Sequence, residues 1–81
     1  MGSIEKIIEK VLSGKSDRNI DFSDFKKFIL YFEFKERIRG SHHIYTKPGI
    51  KEVINIQPLG NLSKAYQVKQ VRNLIIKYNL L

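Results

Sequence analysis

Phe34-Lys35-Glu36-Arg37-Ile38-Arg39-Gly40-Ser41-His42-His43-Ile44-Tyr45-Thr46-Lys47-Pro48-Gly49, continued by Ile50-Lys51-Glu52-Val53-Ile54-Asn55-Ile56-Gln57, is the stretch on which the fold turns. Its first part alternates: Phe34 and Ile38 fall on one face, and Lys35, Arg37 and Arg39 on the other, the period of two of a strand. Gly40-Ser41 reads as a turn. His42–Lys47, β-branched and aromatic, reads as a second strand. Pro48-Gly49 supplies the next turn, and a third strand follows over Glu52–Gln57. Pro58 and Gly60 end it.

On either side the period changes to that of a helix. Ile4, Ile7, Ile8, Val11 and Leu12 recur at i, i+3, i+4, i+7 and i+8, an amphipathic stripe that Ser13-Gly14 closes. Gly14–Asn19 is polar and connecting. A second helix starts near Ser23, whose hydroxyl is placed to cap a first turn containing Asp24, and buries Phe25, Phe28, Ile29 and Phe32. After the strands, Ser63 is placed to cap a last helix. There Val68, Val71, Leu74, Ile75 and Tyr78 share one face, while Lys69, Gln70, Asn73 and Lys77 point away. The order is α-α-β-β-β-α. Three antiparallel strands need cover on one face, so the expectation is an α+β domain over residues 1–81. Its parts are an N-terminal helix at 4–13, a linker at 14–21 and an α-β-β-β-α core at 22–81, with the helices on one sheet face.

The 81 residues bound what such a domain can do. A chain this short buries only about 60% of its unfolded surface. Without Cys there is no disulfide, thiolate zinc site or thiol chemistry. No apolar run approaches the roughly 18 residues of a membrane span. Met1–Glu9 lacks the layout of a signal peptide, and Lys6 stands where a myristoylation signal carries Ser or Thr. The expected compartment is the cytosol. Fifteen basic and eight acidic side chains leave a net charge of +7. Residues 1–40 hold nine Lys/Arg against seven acids, whereas residues 41–81 hold six against Glu52 alone. Basic excess concentrated in one half points to a polyanion, with nucleic acid ahead of an anionic membrane.

Few motifs carry chemistry. Gly14-Lys15-Ser16 ends like a phosphate-binding loop, but Glu9 occupies the position of the required earlier Gly. Asn61-Leu62-Ser63 fits a glycosylation sequon without any sign of secretion. His42 and His43 are the two histidines, and as strand neighbours they point to opposite faces, so no metal set is expected. Gly40-Ser41-His42-His43 needs no metal to be useful. An imidazole titrates near neutral pH and can move a proton during phosphodiester cleavage. RNA brings its own nucleophile, the 2′-hydroxyl, and asks the protein for orientation, proton transfer and cations. Arg37, Arg39 and Lys47 flank the pair, and Lys69 and Arg72 add cations on the last helix. The plainer reading is a pair of ordinary strand histidines among solvated cations.

Arg39-Gly40-Ser41-His42-His43-Ile44-Tyr45, Asn55-Ile56-Gln57-Pro58, Lys64-Ala65-Tyr66-Gln67-Val68-Lys69-Gln70-Val71-Arg72 and the linker Ser13-Gly14-Lys15-Ser16-Asp17 together resemble the HicA family, small mRNA-cleaving toxins of bacterial and archaeal toxin–antitoxin pairs. The likeness runs from about residue 4 onward. It implies a double-stranded-RNA-binding-domain-like fold and a metal-independent endoribonuclease with no cofactor. The histidine of the Gly-Ser-His segment would be catalytic, here His42, with His43 as second candidate. It further implies a HicB-type antitoxin as protein partner, beside mRNA as substrate. Alternation separates the two histidines: His43 shares a face with Tyr45, expected to be buried, and His42 shares the open face with Ile44 and Thr46. Gly40 serves the turn. Gly40, Ser41, His42, Arg37, Arg39, Lys47, Lys69 and Arg72 thus form the expected site. The alternative is a non-catalytic RNA-binding module of the same fold. Where many relatives carry a Gly between helix and first strand, this chain reads Leu30-Tyr31-Phe32-Glu33-Phe34.

Overall fold

The computed structural model describes residues 3–81; Met1 and Gly2, on which part of the leader reading falls, lie outside the described residues. The elements are α1 (Ile4–Ser13), a 3₁₀ turn (Asp17–Asn19), α2 (Phe22–Tyr31), β1 (Lys35–Arg39), β2 (His42–Lys47), β3 (Ile50–Ile56), a ribbon of β4 (Pro58–Leu59) with β5 (Leu62–Ser63), and α3 (Ala65–Lys77). The architecture is α+β: three α-helices with a three-stranded antiparallel sheet in the order β1-β2-β3. No helix among the described residues is long and apolar enough to cross a membrane.

Burial follows the alternation of the strands. Tyr45, Ile54 and Ile56 are buried together with Phe25, Phe28, Ile29, Val68, Val71 and Ile75 of α2 and α3. The alternate positions Thr46, Val53 and Asn55 are exposed. The helices therefore cover one face of the sheet and leave the other open. Ile7 and Val11 of α1 join the same core. Each fully buried Phe or Ile contributes about 2–3 kcal/mol against the entropy of ordering the chain.

Several local expectations change. Ser23 lies inside α2, whose N-cap is Asp21, with no side-chain capping bond. Ser63 does not cap α3; it is buried in β5, and Lys64 takes the cap position. The pairing that wins at Ser63 is with the linker: its N–H donates to the Ile20 carbonyl at 2.8 Å. The 14–21 linker is correspondingly more structured than its polarity implies, containing the 3₁₀ turn and the buried Ile20. Ile38, expected on the buried face beside Phe34, is exposed, because β1 is an edge strand that extends past the helical cover. β3 begins at Ile50, two residues early, and its pairing with β2 is irregular. Between the pairs Tyr45↔Ile54 and Lys47↔Ile50, β2 has one residue and β3 has three.

The segment without the expected Gly shows its cost in the backbone. Glu33, just past the end of α2, has φ 67°, in the left-handed region where a side chain is strained. Glu33→Gly is expected to raise stability by about 1 kcal/mol, read as a shift in the urea midpoint; an unchanged or lower midpoint would show that the turn carries no strain.

At the other end of the core, Lys77 Nζ donates to Glu52 Oε2 at 2.8 Å and Tyr78 Oη–H donates to Glu52 Oε1, tying the end of α3 to β3. These two donors, Lys77 first, hold the Glu52 carboxyl down to about 2. A carboxyl depressed on folding stabilises above its ordinary value and loses that contribution as pH falls toward the folded value. Unfolding stability is therefore expected to decline between about pH 4.5 and 2, and Glu52→Gln to flatten that part of the profile.

Candidate functional site

The turn between β1 and β2 is the two-residue loop Gly40-Ser41, with Arg39 paired to His42 across it. Gly40 has φ 60°, the left-handed value that a two-residue hairpin of this kind asks of its first loop residue. The tight turn sets His42 at the very start of β2. Tyr45 is completely buried, and alternation then sends Ile44 and His42 to the open face and His43 inward. Arg37 and Arg39 of β1 project to the same open face, as Arg37 pairs with Ile44 and Arg39 with His42.

His42 is exposed, yet both ring nitrogens are held. Nδ1 lies 3.1 Å from Asn55 Oδ1 and Nε2 lies 3.1 Å from Gln57 Nε2. The proton positions follow from a residue one step further away. Lys64 Nζ, which can only donate, lies 3.1 Å from Gln57 Oε1. The oxygen of that amide therefore faces Lys64 and its NH₂ faces His42, with its other proton toward Ser41 Oγ at 3.4 Å. His42 Nε2 is then an acceptor, the ring proton sits on Nδ1, and Nδ1–H donates to Asn55 Oδ1. Gln67 anchors the far side: its Oε1 accepts from the Gln57 N–H at 3.1 Å, and its Nε2 donates to the Asn55 carbonyl at 3.5 Å. Ser41, His42, Asn55, Gln57, Lys64 and Gln67 form one connected polar group that runs from the exposed His42 to the buried Gln67.

The sequence by itself assigns no role to Asn55, Gln57 or Lys64. The signal for the first two is present: polar residues two apart, one on β3 and one just past its end, on the same face as His42. The register is not. Continued from the Lys47↔Ile50 pair, it sets His42 opposite Asn55 alone, whereas the irregularity moves β3 so that Gln57 also comes beside the ring.

His43 is built for packing. Its side chain is largely buried, its ring meets Phe22 edge-on at 4.9 Å, and Nδ1 is 4.0 Å from Glu36 Oε2 without a hydrogen bond. Glu36 Oε2 is instead bonded by Tyr45 Oη–H at 2.6 Å. Burial first, and then this carboxylate, push the Tyr45 phenol well above its ordinary value, so it stays a donor.

The expected cations separate. Arg37 and Arg39 share the open face with His42. Lys47 lies at the far end of β2 with Nζ 5.9 Å from the Phe34 ring centroid, away from the His42 group. Lys69 is exposed on α3. Arg72 is reassigned. Its Nη1 and Nη2 donate to the two Asp17 carboxylate oxygens at 2.9 and 3.1 Å, and Nη1 also donates to the Val11 carbonyl at 3.0 Å. Both partners are mostly buried, so this guanidinium is occupied in tying α3 to the linker and to the end of α1. Among the described residues no three His, Asp or Glu side chains gather as a metal-holding group. Compared with protein-family models, with curated proteins and with solved structures, the chain matches none.

The Arg72 assignment has a stability signature. Removing one partner of a mostly buried pair leaves the other charge unpaired, so Arg72→Met and Asp17→Ala are each expected to cost about 2–3 kcal/mol. For a domain of this size that is about 10–20 °C in Tm. The double variant should lose clearly less than the two single losses added, and simple additivity would dissolve the clamp.

Proposed function

We propose that this chain is a metal-independent endoribonuclease that cleaves mRNA, with His42 as its proton-transfer residue, on a double-stranded-RNA-binding-domain-like fold of the HicA type. The observation that carries the reading is the state of His42. It is exposed on the open sheet face beside Arg37 and Arg39, with Nδ1 protonated by orientation and Nε2 left as the basic nitrogen. In the cleavage step the RNA 2′-hydroxyl gives its proton to His42 Nε2 as its oxygen bonds to the adjacent phosphorus. The bond from phosphorus to the 5′-oxygen breaks, and that oxygen takes a proton from solvent. The products are a 2′,3′-cyclic phosphate and a free 5′-hydroxyl. Arg37 and Arg39 supply positive charge where the phosphorane forms. For Nε2 to receive the proton, the Gln57 amide must give up its place to the incoming hydroxyl. The proposed setting is the cytosol, where mRNA is met. The proposed regulator is a HicB-type antitoxin whose acidic surface covers the open face, over an area of about 1,200–2,000 Å².

A second reading, a non-catalytic RNA-binding module, is favoured by that same Gln57 contact, which occupies the basic nitrogen. One assay separates the two. Wild type incubated with single-stranded RNA in EDTA is expected to release fragments ending in 2′,3′-cyclic phosphate. His42→Ala should lower the rate at least about 100-fold, while His43→Phe, which keeps the packing on Phe22, should stay within a few-fold of wild type. Binding without cleavage by wild type would establish the module instead, and cleavage abolished by EDTA would overturn the metal-free mechanism.

A further inference from the structure

Beside Tyr66, a cavity of about 480 Å³ opens where the Gly14–Asn19 segment passes the start of α3. Lys15 and Arg18 from that segment and Lys69 from α3 line it. None of these three side chains has a hydrogen-bond or ion-pair partner among the described residues. The carboxylate in the wall, Asp17, is already engaged by the Arg72 guanidinium, and the first turn of α3 contains no acid. Three cations held around one concavity repel one another until an anion enters it. The segment cannot relax away freely, because the Arg72 clamp and the pairing of Ser63 with Ile20 fasten it.

Tyr66 lines the same cavity with its ring exposed. Its hydroxyl oxygen accepts from Gln67 Nε2 at 3.3 Å, and Gln67 holds the backbone N–H of Gln57, whose side chain holds His42. A continuous run of contacts thus joins the cation-lined cavity to the proposed catalytic residue, with an exposed aromatic ring between them.

We infer that this cavity is a second phosphate site for the RNA strand that reaches His42. A backbone phosphate sits among Lys15, Arg18 and Lys69, and an unpaired base stacks on Tyr66. The inference rests on the RNA-cleaving reading of His42 and narrows its substrate to single strands, because a base stacked on an exposed ring must be free of its duplex.

The test uses a single-stranded 2′-O-methyl oligonucleotide, which lacks the nucleophile and binds without being cut. Its affinity is measured across salt concentrations for wild type, for the triple variant Lys15→Ala, Arg18→Ala, Lys69→Ala, and for Tyr66→Ala, with circular dichroism as the folding control. Losing the three cations that hold this one phosphate should flatten the slope of log affinity against log salt by about 0.7. Tyr66→Ala should weaken binding about ten-fold at every salt concentration without changing the slope. Steep salt dependence in wild type with an unaltered slope in the triple variant overturns the second site and leaves the His42 reading standing. Wild-type amide resonances of Ser16 and Lys69 are followed in parallel with inorganic phosphate and with the oligonucleotide. Shifts with phosphate and none with the oligonucleotide would mean a site for a free anion, overturning the strand assignment, while the His42 reading stands or falls by the cleavage assay. Shifts with the oligonucleotide support the second site.

Discussion

Tyr45 has no exposed surface, and its hydroxyl is satisfied by Glu36 across the strand pair. Such a residue in the middle strand settles the orientation of everything paired with it. A slip of one position would expose the ring and bury Ile44 and Thr46 in its place, and the hydroxyl would lose its carboxylate. With Tyr45 turned toward the helices, His43 packs on Phe22, and His42 stands on the open face with Arg37 and Arg39. The separation of the histidine pair into one packing residue and one exposed residue is thus a consequence of burying a single tyrosine.

The setting of His42 differs from the usual pairing of an imidazole with a carboxylate. Asn55 orients the Nδ1 side and Gln57 the Nε2 side, both without charge. A carboxylate in either place would add negative charge beside the ring, while an amide fixes the tautomer and leaves the local field to the arginines. Lys64 is the reference for the arrangement: a donor with no acceptor capacity, it decides which way the Gln57 amide faces and thereby which ring nitrogen is free to take a proton. The amide also covers Nε2, lying 3.1 Å from it. Orientation of the ring and access to it are properties of the same side chain.

The basic excess of the chain is divided between structure and surface. Arg72 ties the linker to α3, and Lys77 closes a contact between α3 and β3. Arg37 and Arg39 on the open face, and Lys15, Arg18 and Lys69 around the cavity, have no ion-pair partner among the described residues. A count of charges cannot make this division, because it depends on where the eight acids are. Asp17 and Glu52 meet their cations only after residues far apart in the chain have been brought together by packing.

How far the sequence reaches follows from the range of the interactions involved. Helix stripes, the alternation through Phe34–Gln57 and the turn at Gly40-Ser41 are set by residues a few positions apart, and these determined the element order and the opposite orientations of His42 and His43. The capping roles expected of Ser23 and Ser63 failed against longer-range pairing, as the buried Ser63 backbone is held by Ile20 in the linker. The exposure of Ile38 depended on how far the helices extend over an edge strand. Gln57, and Lys64 through it, came to His42 only through a register irregularity in β3, and Arg72 became a clamp because Asp17 lies 55 positions away in sequence and 2.9 Å away in space. Periodicity is written locally in a sequence, so it determined the faces; contacts between distant elements depend on packing, so only the tertiary structure decided which polar groups meet on them.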